Sequence, residues 1–216
     1  MEIKLSPRLR MIAESIKPCM TAWDVGSDHA HIPIYLVQKG ICEKAFATDV
    51  REGPIAISEK NIVRHGLSEE IICRMGDGLE VVDDPDCIIL AGMGGILIRE
   101  LLLKQEETAS KARQLILQAM THQEDLRKYL FDSGYDIYHE DLCMEKQRIY
   151  NVICTRYTGI CTAYEEYELF SSKILTKEPH PLLKEYLAPK IKRLNNMTRE
   201  TADPLLVSLK TRLEGL

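Results

Sequence analysis

Five short apolar runs alternate with stretches of helical spacing over the first 132 residues, and this alternation constrains the chain more than any other feature. The runs fall at 21–25, 44–50, 70–78, 86–95 and 113–120. Helical spacing follows at 30–39, closing at Gly40, at 54–64, closing at Gly66, and again at 96–103 and 123–132. Near-continuous apolar strands need cover on both faces, and helices between them supply it. The spacing therefore predicts an α/β fold with a mostly parallel sheet. Before the first run, Ser6-Pro7 reads as an N-cap with proline at the first helical position, and Leu9, Ile12, Ala13 and Ile16 repeat at helical spacing until Pro18.

After Gly134 the pattern changes. YDIYHEDLCME and RIYNVICTRY are two strand-like runs separated by two residues, too few for a crossover, so they predict an antiparallel hairpin. One strand of the sheet then runs against the others. Beyond Gly159 the strands cease. A helix is expected over 164–177, broken at Pro179 and Pro181. Leu183, Leu187, Ile191 and Leu194 resume helical spacing, with an interruption at Pro189. Asp203-Pro204 reads as a new cap and start, leading to Leu206, Leu209 and Leu213. Two domains are expected: residues 1–159 as the sheet domain and 160–216 as a small helical appendage.

In an open parallel sheet, ligands bind outside the carboxyl ends of the strands. That edge would carry Asp24-Val25-Gly26, Asp49, Gly76-Asp77-Gly78 and Gly92-Met93-Gly94-Gly95. Asp49 follows Gly26 by 23 residues, near the spacing of about 20 for an acid on a ribose diol. Asp77 in its Gly-Asp-Gly turn suits an adenine amino group. Asp28, in the turn after Gly26, would repel a pyrophosphate at a helix N-terminus. A cationic ligand reverses that sign. S-adenosylmethionine carries a sulfonium, an ammonium, a ribose and an adenine, and no phosphate, so the acid-rich edge favours it over a nicotinamide dinucleotide.

The chain of 216 residues is 45% hydrophobic and 28% charged, a globular composition, and has no apolar run of membrane-spanning length or signal-peptide pattern; a cytoplasmic protein is the expectation. Seven scattered cysteines, none in a Cys-x-x-Cys pair, argue against a disulfide framework or a zinc knuckle. His29-x-His31 with Asp28 lacks further ligands, so no metal site is expected. The net charge of −5 opposes a nucleic-acid partner at first sight, but Lys184, Lys190, Lys192, Arg193 and Arg199 face Glu185 alone within 184–199. A local basic face suffices to hold phosphates, and a solvated helix face is the plainer alternative.

The motifs DVGSDHAHIP, AGMGG and LILQAM, with the opening LSPRL, together resemble the bacterial TrmK family, tRNA adenine-N1 methyltransferases that act on adenine 22 of the D arm. The likeness spans residues 4–158. It implies a Rossmann-like class I methyltransferase domain, a coiled-coil-like C-terminal helical domain in contact with tRNA, and S-adenosylmethionine as cofactor. Carried over by position, Asp24, Gly26, Ser27 and Asp28 fall on the first glycine motif. Asp49 and Val50 fall on the ribose-binding acid and its neighbour, and Asp77 and Gly78 on the adenine-side turn. Ala91, Gly92 and Met93, with Gly94, fall on the loop near the target base, Ala91 and Gly92 toward the cofactor and Met93 and Gly94 toward the base. His31 stands where the family motif has tyrosine, and Ala119 where proline follows the glutamine.

Methyl transfer from a sulfonium is an in-line displacement that needs positioning more than a base, because adenine N1 already holds an in-plane lone pair. The methylated ring is cationic, so a carboxylate near N1 or N6 stabilises the developing charge. Asp28 is the expected carboxylate, with His29 second; helix capping by Asp28 and a structural His29 are the alternatives. Met93 and Gly94 would wall the pocket of a base that has left its stack, or simply form a tight turn. Arg8 suits a phosphate near the pocket, and Lys190, Lys192 and Arg193 suit the tRNA backbone. Tyr150 reads as strand packing. Three other functions remain open: a nicotinamide-dependent oxidoreductase, separated by cofactor titration; a non-catalytic RNA-binding protein, separated by methyl-donor labelling of bulk tRNA; and a methyltransferase of protein or small molecules, separated by ribonuclease sensitivity.

Overall fold

A computed structural model describes residues 2–201 and 204–216. The first helix, α1 (Pro7–Glu14), starts at Ser6, whose hydroxyl accepts from the Leu9 amide. The alternation then runs β1 (Cys19–Val25), α2 (His31–Gln38), β2 (Cys42–Asp49), α3 (Glu52–His65), β3 (Ile71–Met75), β4 (Cys87–Met93), α4 (Gly95–Lys104), α5 (Glu106–Lys111), β5 (Gln114–Ala119) and α6 (Gln123–Asp132). The hairpin β6 (Tyr135–Glu145) and β7 (Arg148–Tyr157) follows. Its two-residue turn, Lys146-Gln147, has both residues at positive φ (47° and 64°), the geometry that matches the twist of paired strands.

The seven strands form one sheet in the order β3-β2-β1-β4-β5-β7-β6. The first five are mutually parallel, and β7 alone runs against its neighbours β5 and β6. Strand order reverses between β1 and β4, which makes their carboxyl ends the switch point of a doubly wound sheet. One face is covered by α1 to α3, through Ile12, Ile34 and Ile62; the other by α4 to α6, through Ile98, Ala109 and Leu126. Trp23 stacks on Phe46 with ring centroids 3.8 Å apart, fixing β1 against β2. The Rossmann-like methyltransferase fold expected from the sequence is the fold observed.

The C-terminal segment forms α7 (Glu166–Ser171), α8 (Lys173–Lys177), α9 (Leu183–Thr201) and α10 (Pro204–Glu214). Two expectations need correction. The helix anticipated over 164–177 is two short helices, because Ser172 takes φ +64° and its hydroxyl caps α8 by accepting from Ile174 and Leu175. Pro189 does not interrupt α9, which runs through it. Proline removes one backbone hydrogen bond, while Leu183, Leu187 and Leu194 are buried on the same helix, and that stripe holds the segment helical. The short α5 was missed, since Ala109 is its one buried residue and gives no periodicity. The cap anticipated at Asp203 and the side chain of Arg199 lie outside the described residues. The appendage does not stand apart: its apolar cluster includes Leu142 of β6 and packs on Ile149 of β7.

Candidate active site

At the carboxyl end of β1 the chain turns at Gly26, with φ +79°. The amides of Gly26 and Ser27 both donate to the Thr48 carbonyl at 2.8 Å, tying this turn to the end of β2. A Cβ on Gly26 would lie 2.6 Å from the Met93 Cε and push aside the end of that flexible side chain, and the positive φ is the stronger reason for glycine here. On β4 the pairing with β5 shifts register between Ala91 and Met93, and Gly92 takes φ +76° there. Such a bulge re-aims backbone beside a site. Gly94 stands at the N-cap of α4, and a Cβ on Gly95 would collide with the His122 carbonyl oxygen, so Gly95 lets α4 start against the loop after β5.

Between these turns lies a cleft of about 600 Å³. The expected cofactor residues Asp24, Gly26, Asp28, Asp49, Val50, Asp77, Gly78, Ala91 and Gly92 all line it, and so do Arg8, His29 and Met93. Ser27 is buried in the turn beneath. Asp24 is buried with no cationic side chain paired to it among the described residues. Burial pushes its carboxyl up to about 6; the Ser27 hydroxyl favours the charged form without a hydrogen bond of good geometry, and the nearby Asp28 carboxylate raises the value further. Thr48 Oγ1, also buried at the cleft, has no hydrogen-bond partner among the described residues.

Arg51 is a charged cleft residue that sequence reading missed. Its amide and Nε donate to Asp49 Oδ1 at 2.8 and 3.2 Å, and its Nη2 donates to Asp28 Oδ1 at 3.0 Å. Lys104 pairs with Asp77 at 3.1 Å. The rim is therefore less negative than its four aspartates suggest, and the uncompensated charge concentrates at Asp24. His29 is exposed and its ring stacks on His31, 5.2 Å between centroids. Burial first, and then His29 and His65, hold the His31 imidazole below its ordinary pKa.

Gln118 was also missed. It is wholly buried on β5, and its Oε1 accepts from both Arg8 Nη1 at 3.0 Å and the Gly92 amide at 3.2 Å. A polar residue within a fully buried strand was the available signal. The Arg8 guanidinium also sits over the Tyr150 ring, 5.5 Å from its centroid. No group of three or more potential metal-ligating side chains occurs among the described residues.

A second, larger groove of about 930 Å³ adjoins the cleft, with Met120 on the wall of both. It is bounded by the loop at His122, by Arg148 and Tyr150 of the hairpin and by α9. The three cations expected to hold RNA differ in placement. Lys192 is exposed. Arg193 is exposed but donates to Glu124 Oε1 at 2.9 Å. Lys190 is only 13% exposed, turned inward between Glu124 at 3.8 Å and Gln123 at 3.2 Å. An exposed phosphate contact by Lys190 does not fit that placement.

The family described as "Methyltransferase domain" matches residues 5–153. The chain is 32% identical over 176 residues to the tRNA (adenine(22)-N(1))-methyltransferase of Bacillus subtilis, covering 81% of this chain and 74% of that protein. A Streptococcus pneumoniae protein solved in complex with S-adenosyl-L-methionine superposes with TM-score 0.88 at 29% identity, over 98% of this chain and 99% of that one. TrmK of M. capricolum, solved with S-adenosyl-homocysteine, superposes with TM-score 0.80 at 26% identity, over 97% and 95%.

Proposed function

The chain belongs to the tRNA (adenine(22)-N(1))-methyltransferase family, and on that premise we infer that it transfers a methyl group from S-adenosylmethionine to N1 of adenine 22 in tRNA. The observation that carries the cofactor half of this reading is the Asp24 carboxylate, buried at the switch point with no cationic side chain paired to it among the described residues. A buried anion is costly until a cation joins it, and a pyrophosphate would worsen it. The cofactor's sulfonium supplies an electrophilic methyl group, and its ammonium supplies the missing positive charge. Nucleoside mass spectrometry of unmodified tRNA incubated with the protein and S-adenosylmethionine tests the reading. It should show 1-methyladenosine at position 22; an unmodified adenine there would refute it.

The residue roles extend the same reading. Asp24 would hold the ammonium and Asp49 the ribose hydroxyls, exchanging its contact with the Arg51 side chain for them. Gly26 and Ser27 would let the amino-acid portion approach the backbone, and Val50, Asp77 and Gly78 would enclose the adenine. Ala91 and Gly92 would face the reacting centre, with Met93 and Gly94 beside the extruded target base. Asp28, exposed at the cleft rim, would stand by N1 or N6 and stabilise the cationic product, with His29 as its neighbour. Arg8, held by Gln118, would fix a phosphate of the incoming strand. The groove along α9, which Arg148 lines, would take the rest of the tRNA contact, together with the exposed Lys192 of the same helix. No helix is long and apolar enough to cross a membrane among the described residues.

A further inference from the structure

Arg127 of α6 is completely buried where the sheet domain meets the C-terminal helices. Its Nε donates to Glu140 Oε1 at 3.0 Å and its Nη2 to Glu140 Oε2 at 2.8 Å, a two-pronged pair. Nη2 also reaches Asn151 Oδ1 at 2.9 Å and the Tyr186 hydroxyl at 3.3 Å, and Nη1 donates to the Leu169 carbonyl at 2.7 Å. The Asn151 amide closes the set by donating to Glu140 Oε2 at 3.1 Å. One guanidinium thus joins β6, β7, α7 and α9 to α6. About one turn earlier on α6, Glu124 holds Arg193 and faces Lys190, both on α9.

The placement of α6 gives this knot a reach beyond its own contacts. The helix follows its N-cap residue His122, in the loop whose Met120 lines the cofactor cleft. One end of α6 therefore belongs to the reaction edge, and its buried side is fastened to the appendage. A buried ion pair is a poor way to gain stability alone, since apolar residues of like volume do as well or better. A planar fork with fixed donor directions instead specifies orientation. Apolar contacts between Leu142 and the helical cluster would allow sliding; the two directed bonds from Arg127 to the Leu169 carbonyl and the Tyr186 hydroxyl do not, because Glu140 and Asn151 hold the guanidinium that makes them.

We propose that Arg127 is a positioning residue for substrate: it sets the angle of the C-terminal helices against the sheet domain and so the width of the groove that the RNA enters. This rests on the reading of the protein as a tRNA methyltransferase. The test measures tRNA methylation kinetics and S-adenosylmethionine affinity for the wild type, Arg127→Lys and Tyr186→Phe. Arg127→Lys keeps the charge and loses the fork; Tyr186→Phe removes one hydroxyl and keeps the ring, and still reads the proposal if the lysine variant fails to fold. The expected result is a rise in KM for tRNA of about five- to tenfold for Arg127→Lys, and about two- to fourfold for Tyr186→Phe. Saturating kcat and cofactor Kd should stay within about twofold. An unchanged KM in a folded variant overturns the proposal. So does a parallel loss of KM, kcat and cofactor affinity, which marks the knot as plain structural support. A wild-type protein that binds cofactor but methylates no tRNA overturns the functional reading and this proposal with it.

Discussion

Arg51 Nη2 stands 3.0 Å from Asp28 Oδ1, so the carboxylate expected to serve the reaction is already engaged by a cation from the end of β2. Both side chains are about two-thirds exposed, 66% and 65%, so the pair is weak and open to exchange. Asp28→Asn should lower kcat by roughly a hundredfold, the usual scale for losing one charge-stabilising group at a reacting centre. Cofactor Kd should change little, because Asp24 and Asp49 remain. Near-normal turnover of Asp28→Asn in a methyl-transfer assay would remove Asp28 from the chemistry.

Asp24 gives a pH dependence. Its carboxyl rises from an ordinary 3.8 to about 6 on folding. Below pH 4 it is protonated in folded and unfolded chains alike, and no cost arises. Between about 4 and 6 the folded chain retains a proton that the unfolded chain has lost, so this group's contribution to stability falls as pH rises. Above 6 the full cost, about 3 kcal/mol, is present. Binding of a cation requires the ionised form, so S-adenosylmethionine affinity should fall about tenfold per pH unit below 6. Asp24→Asn should raise the Tm of the cofactor-free protein by several degrees and weaken cofactor binding, both at pH 7. Calorimetric titration from pH 5 to 8 and thermal melts check the two signs.

Gly26→Ala should damage the cleft more than its size suggests. Alanine at φ +79° costs about 1–2 kcal/mol, and its Cβ displaces Met93 from the opposite wall. A lower Tm and a cofactor Kd raised by about tenfold are expected. A variant with unaltered Kd would show that Met93 moves without consequence.

Gln118→Leu removes the acceptor shared by Arg8 and the Gly92 amide. Losing a hydrogen bond to a charged group costs about 1.5–3 kcal/mol. The kcat/KM for tRNA should drop by at least about tenfold, while far-ultraviolet circular dichroism stays that of the wild type. An unaffected kcat/KM would mean that Arg8 needs no fixed place.

Arg148→Ala combined with Lys192→Ala should weaken tRNA binding and flatten its salt dependence. Each single-strand phosphate contact contributes a slope of about 0.7 in log K against log salt, so the pair should remove roughly 1.4. Filter binding across a salt series reads it; an unchanged slope would place the RNA elsewhere.

Much of this protein was legible in one dimension. The runs ending near Gly26, Asp49, Asp77 and Gly92 mark a parallel sheet and its binding edge, because strand burial and turn chemistry act over a few neighbouring residues. The acid at 28 pointed to a cationic cofactor through the turn it sits in, although the folded chain sets Arg51 against that carboxylate and leaves Asp24 as the acid with no paired cation among the described residues. Tertiary structure decided the rest. Arg51 reaches Asp28 across 23 positions, Arg8 reaches Gln118 across 110, and Lys190 reaches Gln123 across 67. No periodicity encodes such pairs; strand order and packing create them. They determine which charges of the cleft stay free, which way Lys190 faces, and where Arg127 fastens one part of the molecule to the other.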